Sequence, residues 1–142
     1  PRADVMAFLG RANFLDVTFS DETGSNEFNT PLGIRLRVHY ANPVGRPISS
    51  RSASLGIRPE HVQVRKGPPD GLRGEFSASV ADLIYRGAVA EVLLLTQAQA
   101  SDGSPVMLSA DLPSEGLSIQ RGDTVAVRFP EEQCLIFEDN QS

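Results

Sequence analysis

The segment Leu55-Gly56-Ile57-Arg58-Pro59-Glu60-His61-Val62 decides how the rest of this chain is read. Its apolar start reads as a short strand that stops at an Arg-Pro-Glu corner. Pro59 has no backbone donor, so a sheet ladder cannot pass through it away from an edge. It also pushes the preceding residue into extended geometry, so Arg58 continues the strand. Arg58 and Glu60 bracket the proline with opposite charges. If the chain stays extended through the corner, they share one face. Two roles stay open for them. They form a buried or half-buried pair that locks the corner, with Gly56 allowing close backbone approach, or Arg58, Glu60 and His61 face a partner.

Working outward from this corner, period-two patterning dominates. Residues 13–19 carry Phe14, Val17 and Phe19. Residues 33–40 alternate cleanly, with Ile34, Leu36, Val38 and Tyr40 on one face and Arg35, Arg37 and His39 on the other. Strands are expected at residues 54–57, 61–65, 75–85, 88–96, 105–112, 124–129 and 134–137. The run Val92-Leu93-Leu94-Leu95 reads as buried on both faces. The turn Ser101-Asp102-Gly103-Ser104 joins two of these strands into the clearest hairpin. Gly, Pro and Asp clusters separate the others. Many short strands with such turns imply an all-β barrel or sandwich of about eight or nine strands. Residues 66–74, with Gly67-Pro68-Pro69-Asp70-Gly71, are the expected mobile loop. At the start of the chain, residues 4–10 read as a short helix capped by Asp4 and closed by Gly10.

The chain has 142 residues, enough for one domain that needs no disulfide or metal to fold. Its net charge of −5 and its 6% aromatic content, with no Trp, argue against nucleic acid. Cys134 is the only cysteine and reads as a core residue. No apolar run approaches the length of a membrane span, so direct membrane insertion is not expected. The only lysine, Lys66, lies outside any Gly-x-x-x-x-Gly-Lys-Ser/Thr loop, so the chain lacks the phosphate cradle of a nucleotide hydrolase. Two histidines and one cysteine make a poor metal set, and no Gly-x-Ser-x-Gly elbow is present. The acidic pairs Glu131-Glu132 and Glu138-Asp139 read as solvated strand ends. No catalytic, metal or cofactor-binding residue is therefore expected.

Leu55-Gly56-Ile57-Arg58-Pro59-Glu60 resembles the "lGIRPE" signature of the TOBE domain, the transport-associated OB-type domain at the C-terminal end of many ABC importer ATPase subunits. Three further stretches agree in order. They are Ala7-Phe8-Leu9-Gly10-Arg11-Ala12-Asn13-Phe14-Leu15, Leu83-Ile84-Tyr85-Arg86-Gly87, and Gln120-Arg121-Gly122-Asp123-Thr124-Val125. The resemblance implies an OB-like β-barrel at residues 11–142, preceded by a connecting helix at residues 1–10 that leads from an upstream ATPase domain. It is nearest to the branch serving iron or polyamines.

The resemblance further implies an accessory role in regulating ATP-driven solute import, with no chemistry in this chain. ATP and Mg would belong to the upstream domain. The implied partners are a second copy of the ATPase subunit, transmembrane permease subunits and a small-molecule effector. The implied location is the cytoplasmic face of the cell membrane. Arg58, Glu60, His61, Arg35 and Arg37 are the interface or regulatory candidates, with residues 33–40 and 58–62 as interface strands. The alternative is a sensor of a small oxyanion or transported solute, for which Ser49-Ser50-Arg51-Ser52 and the arginine face of residues 33–40 are the suggestive stretches.

Overall fold

The computed structural model describes residues 12–20, 26–38 and 52–138. The expected connecting helix at residues 1–10 lies outside these, as do His39, Tyr40, Ser49, Ser50 and Arg51. Among the described residues the fold is all-β, with ten strands rather than eight or nine. They are β1 (Asn13–Phe19), β2 (Glu27–Asn29), β3 (Arg35–Arg37), β4 (Ser52–Ile57), β5 (Gln63–Lys66), β6 (Glu75–Arg86), β7 (Val89–Gln99), β8 (Pro105–Pro113), β9 (Thr124–Arg128) and β10 (Leu135–Glu138). Single 3-10 turns occupy Pro59–His61, Gly71–Arg73 and Glu131–Gln133.

Two five-stranded antiparallel sheets result, in the orders β10-β4-β1-β2-β3 and β5-β9-β6-β7-β8. They enclose one core that includes Leu15, Val17, Phe28, Leu55, Ile57, Val92, Leu94, Val127 and Phe129. Burying such a side chain contributes about 1.5–3 kcal/mol, so the alternating apolar faces hold the two sheets together.

The Arg-Pro-Glu corner is where the chain first changes sheet; it crosses back between β9 and β10. β4 pairs with β1 and β10, whereas β5 pairs with β9 in the other sheet. Arg58 is extended, at φ −74° and ψ 147°, as the following proline requires. Extended geometry then ends, because Pro59–His61 forms a 3-10 turn whose first residue, Pro59, is buried. The expectation that the strand runs on from His61 is thereby corrected: a turn intervenes and β5 begins at Gln63.

Local patterning explains most other elements. On β3, Leu36 is buried while Arg35 and Arg37 face outward, and Val38 just beyond it is buried too, as the alternation dictates. The β7–β8 hairpin closes on Gly103, whose φ of +86° suits glycine. On β1 the inward residues are Asn13, Leu15 and Val17, while Phe14 points to the other face and packs on Phe137, 6.1 Å away. Gly56 lies beneath these two rings; a Cβ there would sit 3.1 Å from Phe14 and 3.2 Å from Phe137. The close approach that Gly56 permits is therefore of rings, not of backbone.

One expectation fails for a tertiary reason. Val92–Leu95 is not buried on both faces: Val92 and Leu94 are in the core, but Leu95 is 37% exposed. No described element covers the outer face of β7. Strand β2 carried too little apolar pattern to be read in advance, since Phe28 is its only apolar residue. Phe28 is nevertheless fully buried, against the ring of Phe19 at 4.8 Å.

Candidate functional site

The five sequence candidates fall into two separate places. β3, with Arg35 and Arg37, is the edge of its sheet, and β2 and β1 lie between it and β4. The Arg58–His61 corner follows β4 and packs against β8.

At the corner, Arg58 Nε donates to Glu60 Oε2 at 2.7 Å. Both side chains are 46% exposed, so the pair is neither buried nor a strong lock. The hydrogen bond from Arg58, then one from its own backbone N–H, lowers the Glu60 pKa below its ordinary value. His61 donates its backbone N–H to Arg58 O at 3.0 Å. Its Nδ1 is buried and has no hydrogen-bond partner among the described residues.

On β3, the Arg35 guanidinium lies 3.9 Å from Glu27, a loose and exposed ion pair. Arg37 uses its backbone rather than its guanidinium: its N–H donates to Glu131 Oε2 at 2.6 Å. That bond ties the free edge of β3 to the turn that follows β9 in the other sheet. The hydrogen bonds from Val38 N–H to Asn26 O and from Thr30 N–H to Ile34 O fix the phase of the pairing with β2. Arg35 is in phase with Arg37, so its N–H faces the same outer edge.

A groove runs between this edge and the Gly71–Arg73 turn. One part, about 590 Å³, lies against Ile34, Arg35, Phe76 and Ser77. The adjoining part, about 640 Å³, lies against Arg35, Arg73, Arg128, Phe129 and Glu131. Arg35, Gly71 and Gly74 border both.

The turn on the far wall is braced, which corrects the expectation of a mobile loop at residues 66–74. Glu75 is buried and accepts from Arg65 Nε at 2.9 Å and from Arg65 Nη2 at 2.5 Å. It also accepts from the backbone N–H of Asp70 at 2.8 Å. Asp70 caps the turn by accepting from Leu72 N–H at 3.0 Å, and Arg65 Nη2 reaches Pro68 O at 3.0 Å. Arg128 Nε donates to Arg73 O at 3.1 Å from the neighbouring strand β9. The Arg65 bond, then the Asp70 N–H, hold the Glu75 carboxyl down at about 2. Leu72 and Arg73 are thus displayed on a fixed turn, with Leu72 fully exposed.

None of these brace residues was singled out from sequence. The available signal was Arg65 and Glu75 flanking a Pro-Pro-Asp-Gly turn, a pairing that only becomes bidentate once β5 and β6 sit on either side of β9.

Catalytic chemistry finds little support among the described residues. No cluster of three His, Cys, Asp or Glu side chains could hold a metal ion there. Burial, helped by the charges of Glu131 and Glu132, pushes the Cys134 thiol up to about 12, and its Sγ donates to Pro130 O at 3.4 Å. A thiol in that state is a packing group, not a nucleophile. No helix among the described residues is long and apolar enough to cross a membrane, which says nothing of β-barrels.

The fold is an OB-like, all-β module. Residues 55–137 match the TOBE domain family, and the chain belongs to that family. Among solved structures it is similar to the cytoplasmic molybdate-binding protein ModG with molybdate bound. That likeness has a TM-score of 0.68 at 14% identity and covers 88% of this chain and 94% of that one. It concerns the fold. No curated protein sequence matches the chain.

Proposed function

We propose that this chain is a non-catalytic accessory domain of an ABC importer ATP-binding subunit, acting as a regulatory and subunit-contact module. Membership of the TOBE domain family carries this reading. The physical task is a difference in affinity: a partner or effector that binds one state of an ATPase dimer better than the other shifts the balance between them. In this reading the parent subunit sits at the cytoplasmic face of the membrane, pairs with a second copy and docks on permease subunits. ATP and Mg are handled upstream of Pro1. Reading the coding sequence upstream of Pro1 tests it. An in-frame ATPase domain with a phosphate-binding loop supports the proposal, and a start codon with no such domain refutes it. The iron or polyamine branch is tested by the solute that the parent transporter takes up.

A second reading, a small-ligand sensor, is favoured by the arginine-bordered groove and by the fold shared with a molybdate-binding protein. A saturable rise in melting temperature with molybdate, tungstate or sulfate supports it, because a ligand bound only by the folded state stabilises that state. No rise with any candidate solute counts against it.

A further inference from the structure

The groove between β3 and the Gly71–Arg73 turn has features that a structural role does not require. Arg35, Arg73 and Arg128 border it in a chain whose net charge is −5. Of the two carboxylates beside them, Glu75 is saturated by Arg65 and Asp70, and one oxygen of Glu131 is held by the N–H of Arg37. The Arg73 guanidinium makes no hydrogen bond or ion pair with any described residue, and Arg35 has only the loose contact to Glu27. The charged groups lining the groove, three arginines against Glu75 and Glu131, leave it net positive, which favours an anion placed there.

The backbone that carries Arg73 is also pre-positioned. Glu75, Asp70 and Arg65 fix the turn that carries Arg73, and Arg128 holds the backbone of Arg73 itself. A braced turn lowers the ordering cost of binding. The opposite wall contributes the outward N–H of Arg35, and the partly buried Leu32 and Ile34 give the groove an apolar side.

Size narrows the class of ligand. Each part of the groove falls within the roughly 300–1,000 Å³ typical of small-molecule sites. A single tetrahedral oxyanion fills only a few water volumes of about 30 Å³ each. Guanidinium groups, with their planar fork of donors, match carboxylate and phosphate oxygens.

We propose that this groove binds a small polyanion of metabolite size, carrying two or more carboxylate or phosphate groups, bridged between Arg35 on the edge strand of one sheet and Arg73 on the turn that leads into β6 of the other. This deepens the ligand-sensing reading and rests on it. Bridging the two walls would couple ligand occupancy to the seam between the sheets.

Isothermal titration of the 142-residue chain with citrate and, separately, pyrophosphate tests the proposal. Both are run at low ionic strength and at about 0.15 M salt, where exposed charges are screened beyond roughly 8 Å. The variants are Arg35→Gln, Arg73→Gln and, as a control away from the groove, Arg121→Gln, with melting curves to verify folding. The expected result is saturable binding of one equivalent, weakened about tenfold by either groove variant and unchanged in the control. Preference for citrate or for pyrophosphate assigns the carboxylate or phosphate class. Absence of saturable binding by both probes overturns the proposal, and so does an equal loss in all three variants. Molybdate in the same series separates the two ideas: if it binds and the groove variants do not weaken it, while citrate and pyrophosphate fail, the groove assignment falls and the sensor reading stands.

Discussion

Replacing Asn13 should loosen the contact between the two sheets. Asn13 opens β1 and points inward, where an apolar residue would be expected. Its Nδ2 donates to Ser109 O at 2.9 Å, and its Oδ1 accepts from Ser109 N–H at 2.8 Å. A longer bond runs from Nδ2 to Ile57 O at 3.3 Å. Ser109 lies on β8, the edge of the second sheet, so the side-chain amide occupies the place of a neighbouring strand's peptide group. Asn13→Ala leaves the N–H and C=O of Ser109 without these partners in a partly buried site. Each unsatisfied group costs about 1–3 kcal/mol, and some water access puts both near the low end. The expected loss is about 2 kcal/mol, or a fall in Tm of about 4–8 °C for a chain of this size. Urea denaturation of wild type and variant, followed by circular dichroism, measures it. Asn13→Asp keeps the acceptor for Ser109 N–H but sets a carboxylate against two carbonyl oxygens, so it should destabilise at neutral pH and recover partly on acidification. A loss under about 0.5 kcal/mol for Asn13→Ala would refute the reasoning, because water would then be replacing the amide at almost no cost.

Arg58→Ala should cost less than about 1 kcal/mol in the same assay, because its pair with Glu60 is half exposed; a loss above 2 kcal/mol, well beyond the roughly 1 kcal/mol ceiling for exposed pairs, would restore the corner-lock view. Glu75 gives a pH signature. Its carboxyl is held at about 2 in the fold against an ordinary 4.5, so its stabilising contribution is complete above pH 4.5 and is lost as pH falls through about 2. Amide exchange at Asp70, whose N–H donates to Glu75, should therefore stay slow at pH 4.5 and rise, after correction for intrinsic rates, toward pH 2, and Glu75→Gln should abolish that dependence. Cys134 should resist a thiol reagent at pH 8 in the native chain and react at once in denaturant; equally fast labelling of the native chain contradicts its burial.

The Leu55–Val62 segment carried much of the legible information. Its proline forced the end of β4, and the alternation in residues 34–38 gave the buried and exposed faces of β3. The hairpin of β7 and β8 was legible because Asp102-Gly103 encodes its own turn. β2 was not, because three residues with one apolar side chain carry no period. The two-sided burial expected of Val92–Leu95 failed because composition cannot say whether another layer covers a strand. The site was less legible than the fold. Arg35 was named for lying on a basic face and does border the groove, but Arg73, Arg128 and the Arg65–Glu75 brace went unnoticed.

Period, proline and glycine act over a few residues, so the sequence alone settled which segments extend, where they turn and which faces are apolar. Which strands become neighbours is a long-range matter: it depends on how two curled sheets share one core and on the proline corner sending β5 into the second sheet. Only that arrangement sets Arg35 of β3 across from Arg73, and only it turns Glu75 from a surface-type residue into a buried brace. Arginines separated by nearly forty residues border one groove because the packing of the core brings the edge of one sheet alongside the turn that enters the other.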